Sequence, residues 1–204
     1  MKNSQVILDK LKELFPNAHC ELNYSNEFEL LVAVVLSAQT TDIKVNAVTK
    51  ELFKYFPNAR ALFHSDIEDL KRIIKPLGLA NNKSNNLIKL SRSIWLDYDN
   101  KVPSTREELM KLAGVGRKTA NVVLAEAFNQ PEIAVDTHVE RVSKRLTLVP
   151  KDASVEKCEE ILRNTISQDR WIEAHHLFIH FGRYKCKAIK PDCETCPFQD
   201  ICQK

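Results

Sequence analysis

Glycine is scarce in this chain, four residues in 204, net charge is only +3 at pH 7, and no apolar run approaches the roughly 20 residues that cross a bilayer. Each shortage excludes something. Without a spanning run, no membrane partner is expected. The N-terminus M-K-N-S-Q-V-I-L-D-K has one early lysine but no apolar stretch of signal-peptide length, so the expected setting is cytoplasmic and bacterial, with a nuclear or mitochondrial one possible in a eukaryote. A near-neutral balance rules out nucleic-acid binding through bulk basicity and leaves only local clusters of charge to do it. No segment reads convincingly as a strand.

Helical periodicity fills the place of strands. Ile7, Leu8, Leu11, Leu14 and Phe15 share a face up to Pro16; Phe28, Leu31, Val35 and Leu36 share another behind Ser25 as cap. Asp42 is the expected cap for Val45, Val48, Leu52, Phe53 and Phe56. Ser65 with Glu68, and Ser104 with Glu107, have capping-box spacing. Leu87, Ile94, Trp95 and Tyr98 line a further face. After Pro131 come stretches carrying Val139, Val142 and Leu146, then Val155, Cys158, Ile161 and Leu162, then Ile172, His175, Leu177, Phe178 and Phe181. The expected fold is all-α with about nine or ten helices, and 44% hydrophobic residues suffice for the core of one large domain or two small ones.

Four of the six cysteines crowd the C-terminal end as Cys186, Cys193, Cys196 and Cys202, spaced C-x6-C-x2-C-x5-C, while Cys20 and Cys158 stand alone. In a non-secreted chain these are not expected to be disulfides. Four thiolates in a short loop suit a metal centre, zinc or iron-sulfur. Zinc ligands usually come as two short pairs, and only Cys193 and Cys196 are so paired, which leans toward a cluster. The lone cysteines read as small buried apolar residues.

Residues 112–119, L-A-G-V-G-R-K-T, set Gly114 and Gly116 between two helical stretches, with Lys118 in the first turn of the second. Such clustering marks a backbone that needs positive φ or close approach to something. Amides unpaired at a helix start bind phosphate oxygens without reading any base, although an ordinary helix-helix connection would look similar. Lysine is a nucleophile only as the neutral amine. A helix N-terminus, neighbouring Arg117 and partial burial all disfavour the ammonium, whereas most lysines are simply solvated. Asp136 could accept a proton and stabilise positive charge on a sugar ring; it could also cap a helix, or leave that to Thr137 and Glu140.

S-A-Q-T-T-D at 37–42, G-V-G-R-K-T-A-N-V-V at 114–123, I-A-V-D-T-H-V at 133–139, F-G-R-Y at 181–184 and the cysteine quartet occur together and in order. On these motifs the chain resembles the helix-hairpin-helix DNA glycosylase superfamily over essentially its whole length. The family's proline at the Ala113 position is missing, so the turn is less pre-set here. Met110 and Glu140 also depart from its usual pattern.

That resemblance implies a six-helix barrel domain with the hairpin over residues 22–131. A second domain, residues 1–21 with 132–204, would carry a [4Fe-4S] cluster on the quartet, and the active site would lie in the cleft between. It implies a bifunctional DNA glycosylase and AP lyase of base excision repair. Its partner would be double-stranded DNA containing damaged pyrimidines or abasic sites, bound by a monomer in the cytoplasm of a bacterium and on the nucleoid when engaged. Lys118 would attack the sugar, Asp136 would activate the amine and stabilise the cationic sugar, and Gln39 and Leu79 would fill the space left by the extruded base. Gly114, Gly116, Arg117, His138, Arg183, Lys185, Lys187 and Lys190 would contact DNA, His138 equally well being a buried structural histidine. Two other classes share features: an adenine-mismatch glycosylase, against which Lys118 and the chain end soon after Cys202 argue, and a non-catalytic zinc module that only binds DNA.

Overall fold

The computed structural model describes residues 2–204, and among the described residues every regular element is helical. In chain order these are α1 (Lys2–Leu14), α2 (Glu27–Leu36), α3 (Asp42–Tyr55), α4 (Ala59–Phe63), α5 (Ile67–Ile74), α6 (Ala80–Asp97), α7 (Arg106–Leu109), α8 (Arg117–Phe128), α9 (Thr137–Arg145), α10 (Val155–Thr165) and α11 (Trp171–His180). A π turn, Phe181–Lys185, continues from α11. The count exceeds the sequence expectation because α4 and α7, with 5 and 4 residues, are too short to show a period. No described helix is long and apolar enough to cross a membrane.

The chain divides into two compact units, Glu21–Gln130 and Met1–Cys20 with Pro131–Lys204. In the first, α2 buries Phe28 and every residue from Leu30 to Leu36, and α8 buries Ala120 to Ala125 without a break. Helices apolar on all sides belong at a centre, and these two pack on each other while α4 and α5 pack on α6. In the second unit, Ile7, Leu8 and Leu11 of α1 join Val139 and Val142 of α9, Leu162 of α10 and Leu177 and Phe178 of α11 in one buried cluster.

Four helix starts are shifted by one residue from the expected caps, three forward and that of α3 backward. Asn26, Thr41, Asp66 and Thr105 cap α2, α3, α5 and α7, each side chain accepting an amide of the first turn, in place of Ser25, Asp42, Ser65 and Ser104. At every one of these junctions two neighbouring residues can cap, so local chemistry does not choose between them. The packing register of the helix does.

Candidate active site

Lys118 sits half-buried in the first turn of α8, the helix whose next residues are wholly inside the unit. Burying each such Val or Leu contributes roughly 1.5–3 kcal/mol, so the amine stands on a rigid mount. Arg106 of α7 donates from Nε to Oδ1 of fully buried Asn121 at 3.0 Å and ties the two helices of the hairpin together. Between them, Gly114 is left-handed at φ +80, and a Cβ there would meet Asn86 Nδ2 at 3.1 Å. Gly116 differs from expectation. Its φ of −95 suits any residue, and a Cβ would meet nothing. What Gly116 provides is open space before the first turn of α8, where no side chain caps the amides. That is the form of a backbone anion site, with Arg117 exposed beside it.

Gln39 and Leu79 share an unexpected property. Both are exposed and both hold left-handed backbone, at φ 57 and 52. For a non-glycine residue that conformation costs roughly 1–2 kcal/mol, and such outliers gather at functional sites. Leu79 is 53% exposed and so stands outside the core.

Asp136 is the N-cap of α9. Oδ1 accepts from the amides of His138 and Val139, both at 2.8 Å, and Oδ2 lies 3.2 Å from His138 Nδ1, a contact that requires a proton on that nitrogen. Glu140 pairs instead with Lys144 at 2.7 Å, so no Thr137–Glu140 box forms. Burial pushes the Asp136 carboxyl up, but the hydrogen bonds of the His138 side chain and the Val139 amide, with the charges of His138 and His175, outweigh burial and hold it well below the usual carboxylate range. His138 therefore works on the carboxylate directly. His175, on α11, was read from sequence only as part of a buried face. Gly182 completes the surround, because a Cβ there would meet His138 Cβ at 3.0 Å.

All four C-terminal cysteines line one small cavity together with Arg145, Leu146, Phe181, Pro191, Asp192 and Lys204. They enclose a volume, and among the described residues no three His, Cys, Asp or Glu side chains could hold a single metal ion. Cations point at the sulfurs: Arg145 Nη1 lies 3.3 Å from Cys186 Sγ, and Lys204 Nζ 3.9 Å from Cys193 Sγ. A cluster on four thiolates carries net negative charge, so this donor set fits one. Arg141 and Arg145, one turn apart on α9, also hold the carbonyls of Gly182, Cys186 and Lys187 at 2.9–3.2 Å. Nothing in the motif-based reading singled out these arginines, although their i, i+4 spacing after Asp136 was available.

The basic residues of this loop divide. Lys187 and Lys190 are exposed and Arg183 is half-buried. Lys185 departs from expectation, its Nζ engaged by Asp192 Oδ2 at 2.8 Å and Thr195 Oγ1 at 2.6 Å. Lys187→Ala is expected to weaken DNA binding alike across sequences and lower the slope of log K on log salt by about 0.9. Lys185→Ala is expected to leave that slope unchanged. Binding measured from low to high salt separates them, and equal slopes for the two variants would contradict the division.

Residues 32–168 match the HhH-GPD superfamily base excision DNA repair protein family, and residues 186–202, from the first to the last cysteine of the quartet, match the iron-sulfur binding domain of endonuclease III. Endonuclease III of Bacillus subtilis (strain 168) is 49% identical over 204 residues, 100% of this chain and 93% of the relative. Two solved structures, a non-covalent endonuclease III-DNA complex and a trapped endonuclease III-DNA covalent intermediate, are each 48% identical and cover 100% of this chain and 96% of theirs, with TM-scores of 0.96 and 0.95. Sequence, fold and cysteine loop therefore agree on a DNA glycosylase and AP lyase of base excision repair that carries a [4Fe-4S] cluster. The chain belongs to the HhH-GPD superfamily, within its endonuclease III branch.

Proposed function

We propose that the chain acts on oxidised pyrimidines and abasic sites in double-stranded DNA, with Lys118 as nucleophile and Asp136 as the charge that stabilises the reacting sugar. One observation carries this reading: an amine in the first turn of a buried helix, directly behind a glycine hairpin whose amides are open to a phosphate. The damaged base turns out of the duplex, which costs less when stacking and pairing are already impaired. Gln39 and Leu79 enter the space it leaves. The neutral Lys118 amine forms a bond to C1′ as the bond from C1′ to the base breaks, and the base departs with a proton. Asp136 remains ionised beside the cationic sugar. A carboxylate held so low is a weak proton acceptor, so its part is electrostatic rather than that of a general base. The C1′–O4′ bond then breaks, O4′ keeps the electron pair and takes a proton as the sugar ring opens, and the Schiff base left between C1′ and Lys118 acidifies the C2′ proton. β-Elimination then breaks the C3′–O bond, the phosphate leaves, and the strand is cut 3′ to the lesion.

Cys186, Cys193, Cys196 and Cys202 are the ligands proposed for the cluster, whose contribution when bound is to fix the loop 183–190. Gly114, Gly116 and Arg117 hold the backbone near Lys118, and Lys187, Lys190 and Arg183 hold it elsewhere. The protein works as a monomer in the bacterial cytoplasm, on the nucleoid when bound to DNA; its relatives in bacteria support that setting. Duplexes each carrying one altered base test the substrate class. Oxidised pyrimidines and abasic sites are expected to react, and release of adenine from mismatches with no action on oxidised pyrimidines would contradict the reading.

A further inference from the structure

Among the described residues seven helices, α2, α3, α4, α5, α7, α9 and α10, open on a Ser, Thr, Asn or Asp whose side chain accepts an amide. The longest, α6, opens on Leu79, which has nothing to accept with and is left-handed at φ 52, ψ 32. α8 and α11 also open without a side-chain cap, on Gly116 and Arg170, but neither of those residues is left-handed. One turn into α6, Lys83 is 5% exposed, a rare place for a lysine. Its amide donates to the Leu79 carbonyl at 2.9 Å and its Nζ to the Leu77 carbonyl at 3.0 Å. The same residue thus grips the backbone on both sides of the Gly78–Leu79 link, where Gly78 is also left-handed at φ 71.

This placement is unfavourable for the ammonium taken by itself. Burial lowers its pKa with no opposing contribution from a charged partner, and the positive end of the α6 dipole is adjacent. A buried cation with a carbonyl for partner adds little to stability compared with an apolar side chain of equal length, so what the bond to Leu77 supplies is specificity of conformation.

We propose that Lys83 is a positioning residue for the base-extrusion step, clamping the Leu77 carbonyl so that the strained Gly78–Leu79 turn presents the Leu79 side chain to the duplex. The assignment rests on the reading of Leu79 as the group that fills the vacated space. Lys83→Met keeps length and burial and removes the donor. It is expected to fold with a Tm no lower than the parent's, to accelerate amide exchange at residues 77–79, and to lower both excision and the 2-aminopurine signal of base extrusion by about tenfold.

Leu79→Gly accepts the left-handed backbone and removes the side chain, and it provides the decisive background. If Lys83 acts through Leu79, Lys83→Met causes no further loss of extrusion in Leu79→Gly protein. An equal loss in both backgrounds, or full extrusion by Lys83→Met alone, overturns the proposal. Unchanged extrusion by Leu79→Gly alone instead removes the reading of Leu79, and the role of Lys83 with it. Lys83→Gln takes the same tests should Lys83→Met fail to fold.

Discussion

Asp136→Asn is expected to bind lesion-containing duplex with little change and to lose base excision by about 10²–10³-fold, the usual effect of removing one preorganised electrostatic group. The substitution is unusually clean at this position. Asparagine caps a helix as well as aspartate does, so α9 keeps its start and the amides of His138 and Val139 keep an acceptor. What disappears is the negative charge proposed to stand beside the sugar. The contact of the His138 ring with Oδ2, at 3.2 Å, is not kept, because with the single amide oxygen held by the two backbone amides the NH2 group faces Nδ1 and can only donate. Single-turnover excision and equilibrium binding on one duplex check the split. Unchanged excision would take Asp136 out of the chemistry and leave it a helix cap.

The pH dependence of that carboxylate has a definite sign. Its folded pKa lies below the ordinary value of 3.8, so the ionised form stabilises the fold above that value, and the contribution is lost as pH falls through the folded value. A loss of activity that sets in well above pH 3.8 is expected to come from a group other than Asp136, and the acid limb of excision by Asp136→Asn, compared with the parent's, checks this.

Lys118→Ala is expected to have the larger effect, with excision down on the order of 10⁴-fold and strand cleavage at abasic sites falling with it. In the proposed mechanism both reactions pass through a bond to the same nitrogen, so no residual lyase activity should outlive the glycosylase. Binding should survive, because the phosphate grip is proposed for the open backbone around Gly116 and not for the amine. Comparing base release with strand cleavage on the same duplex reads this directly. A variant that still releases bases at the parental rate while failing to cut would separate the two steps and assign the first to a different nucleophile.

Much of this site was legible in the sequence where the signal was local. The hairpin glycines, the lysine after them and the cysteine quartet are short spacings, and the structure keeps each as a local unit. The left-handed backbone of Gln39 and Leu79 was not legible, since neither side chain favours it and only the surrounding fold imposes it. Helix starts at Asn26, Thr41, Asp66 and Thr105 slipped by one because adjacent residues were equally able to cap. The engagement of Lys185 by Asp192 and Thr195 was not legible either, since it depends on how the loop folds back on itself. The depressed pKa of Asp136 depends in part on His175, remote in sequence and brought near only by the packing of α11 against α9.

The central claim is that Lys118 forms the covalent bond. Borohydride reduction during turnover on a duplex with one oxidised pyrimidine, followed by tryptic digestion, tests it at the level of the residue. The account predicts a protein-DNA adduct on the peptide 118–141, uncut after Lys118 because the nitrogen is alkylated. An adduct mapped to any other lysine, or excision without any adduct, would contradict it.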